Sequence, residues 1–214
     1  MITIVIADDH PVARAGIHNL LGSDPNLVII GEAENGIEAQ QLVEKLRPNI
    51  LLLDLKMPGP PPAEIEKWVR THCPETATLV LTAHDRDSYL TAMIDSGAVG
   101  LIDKNETAER LIGAIRRAAS GEILFDDLQL NRARRWRAVA GVKWESLTER
   151  ERQVLKLLEQ GLDRAETATR LEIVPKTVDY HIAHILKKLD VKSHKEAVCW
   201  VHKYVSDDLG TITG

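Results

Sequence analysis

The first 120 residues alternate short, mostly apolar runs with segments that are apolar on one side only. Five runs predict β-strands, and the segments between them predict helices, because their apolar residues recur every three or four positions. Apolar strands separated by helices are typical of a parallel sheet covered on both faces. We therefore predict an α/β domain over residues 1–120, with a doubly wound, five-stranded parallel sheet. The predicted strands are Ile2–Ala7, Leu27–Ala33, Asn49–Asp54, Thr78–Ala83 and Val99–Asp103.

From residue 146 onwards the pattern is helical only, and four short helices can be recognised by their starts. Three starts have an N-cap residue followed three positions later by glutamate, an arrangement in which each residue satisfies the other's backbone N–H. The fourth start is a proline, which is favoured at the first helical position. These starts lie at Thr148, Asp163, Pro175 and Ser193.

A tight turn at Glu172–Val174 joins the second of these helices to the third, Pro175–Leu189. Two helices joined by such a turn are typical of a helix-turn-helix. We predict an all-α, four-helix helix-turn-helix domain over residues 146–206. Residues 121–145 show no clean period and are predicted to form a linker with some helix, followed at the other end by a tail, residues 207–214.

The net charge of −5 argues against a protein that binds any polyanion. Residues 1–120 carry 11 basic and 17 acidic residues, whereas the remainder carries 16 basic and 15 acidic residues. Because the C-terminal part is near neutral, any binding of nucleic acid must depend on a local basic patch.

Features of membrane and secreted proteins are missing from the sequence. No apolar run reaches the ~18 residues of a membrane span, and the N-terminus lacks the basic segment of a signal peptide. Cys73 and Cys199 lie far apart, so a disulfide framework is not expected and a reducing compartment fits. We predict a cytoplasmic protein with no membrane partner.

Polar residues cluster at the ends of the predicted strands. The carboxyl ends of parallel strands converge, so these side chains should share one crevice. Close carboxylates raise one another's pKa unless a cation lies among them, and oxygen ligands of this kind suit Mg²⁺. With a hydroxyl and a lysine they form the groups that phosphoryl transfer to a carboxylate requires, although acids after strands are also common as helix caps. The residues are Asp8, Asp9, Asp54, Thr82, Asp103 and Lys104.

The motifs around these residues resemble those of a response-regulator receiver domain, over residues 1–120. They are the pair Asp8-Asp9, the run DLKMPG that begins at Asp54, the run LTA that contains Thr82, and GAVGLIDK, which ends at Lys104. The resemblance implies that Asp54 accepts a phosphoryl group from a sensor histidine kinase. It also implies that Mg²⁺ is held by Asp8, Asp9, Asp54 and the backbone carbonyl of Lys56, and that Thr82 and Lys104 stabilise the phosphoryl group.

Two features depart from the family pattern. Leu101 occupies the position at which a tyrosine or phenylalanine usually acts as a switch rotamer. Pro60–Pro62 replaces the usual Asp-Gly after the phosphorylation loop, and three prolines should stiffen it. An alternative therefore stays open, namely an atypical regulator controlled by a partner protein or a ligand rather than by phosphorylation.

The C-terminal segments SLTERERQVLKLLEQGL and TVDYHIAHILKKLDVKSHKEAV resemble the DNA-binding domain of NarL/FixJ-type, or LuxR-type, regulators. The resemblance implies that Pro175–Leu189 is the recognition helix and that Ser193–Tyr204 forms a homodimer on double-stranded DNA. A receiver followed by this module is the architecture of that family. The combined resemblance identifies the chain as a DNA-binding response regulator of a two-component system that controls transcription, not an enzyme.

The recognition helix carries several side chains that could contact DNA. Lysines can reach phosphates, and polar or small side chains can meet base edges. From charge alone, the pattern favours a solvated basic face on a structural helix, and the family resemblance reverses this preference. The candidate DNA-binding residues are Lys176, Thr177, Asp179, Tyr180, Ala183, His184, Lys187, Lys188 and Lys192.

Asp179 is unusual among these candidates because family members often carry lysine at its position. Near a helix start its charge is favourable to the helix dipole. In the major groove the carboxylate could accept a hydrogen bond from a cytosine amino group, or it could repel the phosphates. We favour repulsion, because the module is near neutral in charge.

Overall fold

The computed structural model describes residues 1–83 and 86–205. The described chain forms two compact units, one from Met1 to Asn131 and a second from Arg132 onwards. The boundary falls within the segment that the sequence predicts as a linker. The predicted tail, residues 207–214, lies outside the described residues.

The N-terminal unit is the predicted α/β fold, with five parallel strands in the order β2-β1-β3-β4-β5. The strand order reverses between β1 and β3, and ligands bind outside the carboxyl ends of strands at such a point. The strands are β1 (Ile2–Ala7), β2 (Leu27–Ala33), β3 (Ile50–Asp54), β4 (Ala77–Thr82) and β5 (Gly100–Asp103). The helices of this fold are α1 (Pro11–Leu21), α2 (Gly36–Leu46), α3 (Pro62–His72), α4 (Asp87–Ser96) and α5 (Ala108–Ala119).

The sheet is buried because its central strands are apolar on both faces. Every residue of β3 is buried, as expected for a strand covered on both sides by helices. Apolar side chains on one face of the sheet pack against α1 and α5, and this burial supplies the main force for folding. This core includes Ile4, Ile6, Ile17, Leu21, Ile50, Leu52, Leu79, Leu81, Leu111 and Ile115.

The C-terminal unit contains the four predicted helices. Both expected capping boxes at Thr148 and Asp163 are formed. At Ser193 only half of the box forms, because Glu196 accepts a hydrogen bond from the Lys192 backbone N–H at 2.9 Å. These helices are α8 (Glu149–Glu159), α9 (Arg164–Arg170), α10 (Pro175–Leu189) and α11 (His194–Tyr204).

Much of the segment predicted as a linker is helical. Asp127–Trp136 forms α6, a π-helical turn follows at Arg137–Gly141, and Val142–Glu145 forms α7. Within the second unit, the Trp136 indole N–H donates to the Tyr204 carbonyl at 2.9 Å, and Lys143 Nζ donates to the Leu189 carbonyl at 2.8 Å. The π-helical turn breaks the helical period, which explains why the sequence shows no regular pattern here.

Glu66 is a buried acid on α3, with a side chain that is almost wholly removed from solvent. Burial raises its pKa to about 7, against smaller lowering effects of Thr78 and Arg70. Since the ordinary pKa is 4.5, the folded protein keeps this proton at pH values where the unfolded chain has released it. The folded state therefore loses stability as the pH rises from 4.5 to about 7.

We expect Glu66→Gln to remove this pH dependence, because glutamine titrates in neither state. The free energy of unfolding of the variant, relative to the unsubstituted chain, should rise by about 3 kcal/mol between pH 4.5 and pH 8. Urea unfolding at a series of pH values measures this difference. Glu64→Gln, an exposed substitution on the same helix, is the control and should follow the unsubstituted profile. If the free energies of unfolding of Glu66→Gln and the unsubstituted chain change with pH in parallel, the pKa of Glu66 is not raised by folding.

Candidate functional site

Strand register aligns the predicted site residues at the carboxyl ends of neighbouring strands. Ala7 pairs with Leu53 across β1 and β3, so Asp8 and Asp54 each follow a paired position. Asp54 itself pairs with Leu81 of β4, one residue before Thr82. In the β4–β5 pairing, Thr82 lies opposite Asp103, and Lys104 is the next residue along the chain after Asp103.

Lys104 connects the two most buried carboxylates of the site. Its Nζ lies 2.7 Å from Asp8 Oδ2 and 2.9 Å from Asp54 Oδ1. The two carboxylate side chains are only 1% and 6% exposed, respectively. The Lys104 backbone N–H also donates to the Thr82 carbonyl at 2.8 Å, which fixes the start of the lysine side chain beside β4.

The charges in this pocket oppose one another. Burial raises the pKa of Asp54 and the Asp8 charge adds to this effect, whereas the ammonium of Lys104 lowers it, and the net result is a raised pKa. Burial acts to lower the pKa of Lys104, but hydrogen bonds and charge from Asp8 and Asp54 raise it overall. The pocket therefore favours an added positive charge, since two buried carboxylates share one lysine.

The same pocket offers ligands for a metal ion. Asp8, Asp9, His10 and Asp54 each contribute one ligand atom, and these atoms lie within 4.8 Å of one another. Three of the four are carboxylates, which are the hard oxygen ligands that Mg²⁺ prefers. Lys56, predicted to offer its backbone carbonyl, lies two residues after the end of β3 and is half-buried. The donor set of this pocket fits a divalent cation.

Two residues that contact the acids of the pocket, His10 and Arg14, were not predicted from the sequence. The His10 backbone N–H donates to Asp8 Oδ1 at 2.9 Å, and its Nδ1 lies 2.6 Å from Asp9 Oδ1. Arg14, on the first turns of α1, donates to the Asp8 carbonyl at 2.7 Å and to Glu34 at 2.5 Å. His10 directly follows the acidic pair in the sequence, which was a usable signal, but the reach of Arg14 depends on how α1 packs.

Asp103 does not join the pocket. Its side chain is exposed and accepts hydrogen bonds at 2.8 Å from the backbone and side-chain nitrogens of Asn105. Asp103 therefore caps the turn after β5, which is the ordinary role of an acid after a strand.

The residues that depart from the receiver pattern have defined surroundings. Leu101 is buried, and its carbonyl accepts a hydrogen bond from Gln129 Nε2 at 3.2 Å. Pro60–Pro62 ends at the first residue of α3, where the fixed backbone angle of proline suits the start of a helix. Thr82 is buried at the end of β4.

Helix α10 divides into a buried face and an exposed face. Val178, Ile182, Ile185 and Leu189 recur at helical spacing and are buried in the core of the C-terminal unit. Most candidate DNA-binding residues lie elsewhere on the helix. The exposed ones are Lys176, Asp179, Tyr180, Ala183 and Lys187, with Lys192 just beyond the helix, whereas Thr177, His184 and Lys188 are half-buried.

Two of these candidates form ion pairs with other helices of the unit. Lys188 Nζ lies 2.7 Å from Glu151 Oε2, and the Glu151 side chain is only 5% exposed. Asp179 Oδ1 lies 3.1 Å from Arg164 Nε, and both side chains are more than half exposed. Lys188 is thus paired with a buried carboxylate, whereas Asp179 is paired with an arginine at the surface.

Helix α11 uses much of its apolar surface inside the unit. Ala197 and Val201 are buried in the core, and Trp200 and Tyr204 pack against that core. The two aromatic side chains already cover the unit's own core, which leaves less apolar surface of α11 for a partner. Cys199 is exposed on the outer side of the helix, whereas Cys73 is buried in the N-terminal unit.

Among the described residues, every helix is too short or too polar to cross a membrane.

Comparison with known protein families separates the chain into two matched regions. The family "Response regulator receiver domain" matches residues 4–116. The family "Bacterial regulatory proteins, luxR family" matches residues 145–201. These regions contain the acidic pocket and α10, respectively.

Individual relatives match over nearly the whole chain. The nitrate/nitrite response regulator protein NarL of Escherichia coli strain K12 is 36% identical over 210 residues, which cover 94% of this chain and 95% of the relative. The oxygen regulatory protein NreC of Staphylococcus epidermidis is 35% identical over 206 residues, which cover 91% of this chain and 94% of the relative.

A solved structure also matches both units. It is RcsB from Salmonella enterica serovar Typhimurium, bound to the promoter rprA in the presence of the phosphomimetic BeF₃⁻. The TM-score is 0.61 at 26% identity, with 94% of this chain and 99% of the RcsB chain covered. The chain therefore belongs to the family of DNA-binding two-component response regulators in which a receiver domain precedes a LuxR-type helix-turn-helix domain.

Proposed function

We propose that Asp54 is the phosphoacceptor of this response regulator and that a sensor histidine kinase supplies the phosphoryl group. The observation that carries this proposal is the Lys104 ammonium, which lies within 3 Å of both the Asp54 and the Asp8 carboxylates. A carboxylate oxygen of Asp54 attacks the phosphorus of a phosphohistidine, so that an O–P bond forms and the N–P bond breaks. The imidazole leaves with the electron pair of that bond and takes up a proton from solvent.

The proposed cofactor is Mg²⁺, held by the side chains of Asp8, Asp9 and Asp54 and by the backbone carbonyl of Lys56. The ligand atoms of the three acids support this assignment because they lie within 4.8 Å of one another. When bound, the ion supplies positive charge against the phosphoryl oxygens. Lys104 pairs with a phosphoryl oxygen, and the Thr82 hydroxyl donates a hydrogen bond to the group.

The output of the protein is control of transcription through α10 on double-stranded DNA. The proposed contacts are those of the exposed face of α10, with half-buried Thr177 and His184 at its border. Lys188 is not among these contacts, because the ammonium of Lys188 is paired with the buried carboxylate of Glu151. The phosphohistidine of the kinase and chromosomal DNA are both found in the bacterial cytoplasm, and we propose that the protein acts there.

A second candidate function keeps the fold and the DNA-binding output but replaces phosphorylation by a partner protein or a ligand. The observation that favours it is Leu101, a buried aliphatic side chain on β5. Without an aromatic ring at this position, the usual tyrosine or phenylalanine rotamer switch cannot signal the state of the pocket. The modification experiment below separates the two candidates.

Treatment of the full chain with acetyl phosphate and Mg²⁺ should add one phosphoryl group, as measured by intact-mass spectrometry. Asp54→Asn should abolish the added mass, because the nucleophile is lost, and chelation of Mg²⁺ should do the same. Asp103→Asn is the matched control and should remain modified, because Asp103 caps a turn outside the pocket. A chain that binds Mg²⁺ yet stays unmodified would overturn the proposal and favour the second candidate.

Lys188 and the neighbouring Lys187 should differ in what their loss affects. Lys188→Met should lower the free energy of unfolding by about 1–2 kcal/mol, because it leaves buried Glu151 without its charged partner. Lys187→Met should leave stability unchanged, weaken DNA binding on all sequences and reduce the salt slope of binding by about 1. Urea unfolding and fluorescence anisotropy with labelled duplexes measure the two effects. Equal effects of both substitutions would contradict the assignment of Lys188 to stability and Lys187 to DNA binding.

We expect a homodimer on DNA through the segment Ser193–Tyr204, with half-sites related by two-fold symmetry. Val198, half-buried on α11, is the test position. Val198→Gln should remove the gain in affinity from a second half-site and leave binding to one half-site intact. Val142→Gln, at an exposed apolar residue of α7, is the control. Footprints over a single half-site, with no gain from a second, would argue against a dimer.

A further inference from the structure

The ion pair between Arg164 and Asp179 joins the two helices of the helix-turn-helix. Arg164 is the first residue of α9, and Asp179 lies on the exposed face of α10. Arg164 Nε is 3.1 Å from Asp179 Oδ1. The two side chains are 59% and 53% exposed, so the pair lies at the surface on which α10 would meet DNA.

Helix stability does not explain the position of Arg164. A positive charge in the first turn of a helix opposes the helix dipole. The start of α9 is already satisfied by the capping box of Asp163 and Glu166, and α10 begins at Pro175, a residue favoured at the first helical position. An exposed ion pair also contributes little to the stability of a fold. The pairing with Asp179 therefore needs a reason other than folding.

The pair changes how Asp179 would act on DNA. A lone carboxylate beside phosphates repels them, but a carboxylate with a guanidinium 3.1 Å away presents a neutral pair, whose field falls off faster with distance. Repulsion of the DNA backbone is thereby reduced. The carboxylate keeps its ability to accept hydrogen bonds, because an ionised aspartate offers acceptor sites on both oxygens.

We propose that Arg164 is a positioning residue that orients the Asp179 carboxylate to accept a hydrogen bond from a cytosine amino group in each half-site. The contact of the guanidinium Nε with Oδ1 favours one orientation of the carboxylate. The cytosine amino group is the usual major-groove donor to an acidic side chain, because the amino group of adenine lies beside the N7 acceptor, which repels a carboxylate. The inference rests on the proposed role of α10 as the DNA-reading helix, and it makes Arg164 a determinant of sequence preference without a base contact of its own.

The test is a selection of duplexes from a library with two randomised half-sites. The full chain is used, both untreated and after acetyl phosphate and Mg²⁺. Asp179→Asn should lower the preference for cytosine at one position of each half-site by about tenfold. Arg164→Gln should lower it at the same position, and the double variant should show no further loss, because the two residues act as one unit.

Two further variants separate positioning from charge. Arg170→Gln removes a positive charge from the exposed last turn of the same helix and should leave the preference unchanged. Arg164→Lys keeps the charge but loses the planar fork, so it should lower the cytosine preference without lowering affinity for other sequences. Circular-dichroism melts of each variant check that the fold is retained, and Arg164→Lys serves if Arg164→Gln does not fold.

Three results would overturn the inference. The first is a cytosine preference that survives the loss of Arg164. The second is a uniform loss of affinity with Arg164→Gln, together with a smaller salt slope and unchanged preference, which would make Arg164 a phosphate contact. The third is an unchanged preference in Asp179→Asn. If the unsubstituted chain selects no duplex in either state, the DNA-reading role of α10 itself fails, and that outcome is distinct from the other three.

Discussion

Parallel pairing of β1, β3, β4 and β5 aligns the ends of these four strands at one edge of the sheet, and the chemistry of the N-terminal unit depends on that alignment. A shift of one residue in the β1–β3 register would turn every following side chain to the other face of the sheet. Asp8 and Asp54 would then no longer face the same ammonium of Lys104. Because β3 is apolar and buried on both faces, its packing against the helices holds the register that the pocket requires.

The parts of this architecture that follow from periodicity could be predicted from the sequence. Each predicted strand lies within one residue of its observed bounds, because five apolar runs leave little choice for a parallel sheet. The meeting of Asp8 and Asp54 was expected from the topology, whereas the expectation for Asp103 was wrong, because its side chain caps the turn after β5. Arg14 was not expected, because its contact with the Asp8 carbonyl depends on the angle at which α1 packs. A pattern along one element shows which face is buried, but it does not show which side chains meet across two elements.

The same limit applies to the helix-turn-helix unit. The apolar residues of α10 recur at helical spacing, and the structure places Val178, Ile182, Ile185 and Leu189 in the core. The partners of Lys188 and Asp179 lie 37 and 15 positions away along the chain, on α8 and α9. Pairing offsets the positive charge of Lys188 and the negative charge of Asp179, so neither acts on DNA as a lone charge. The surface potential of a near-neutral module is therefore set by which charges are paired, more than by how many it has.

The two cysteines lie in opposite environments, and the contrast makes one of them a natural reporter. Burial raises the pKa of the Cys73 thiol, which lowers the thiolate fraction and shields the sulfur from alkylating reagents. Cys199 is exposed on α11, next to Val198 and Trp200. A maleimide should therefore label α11 selectively in the native protein. Because these are the chain's only two cysteines, the rate of labelling reports directly on whether another molecule covers that helix.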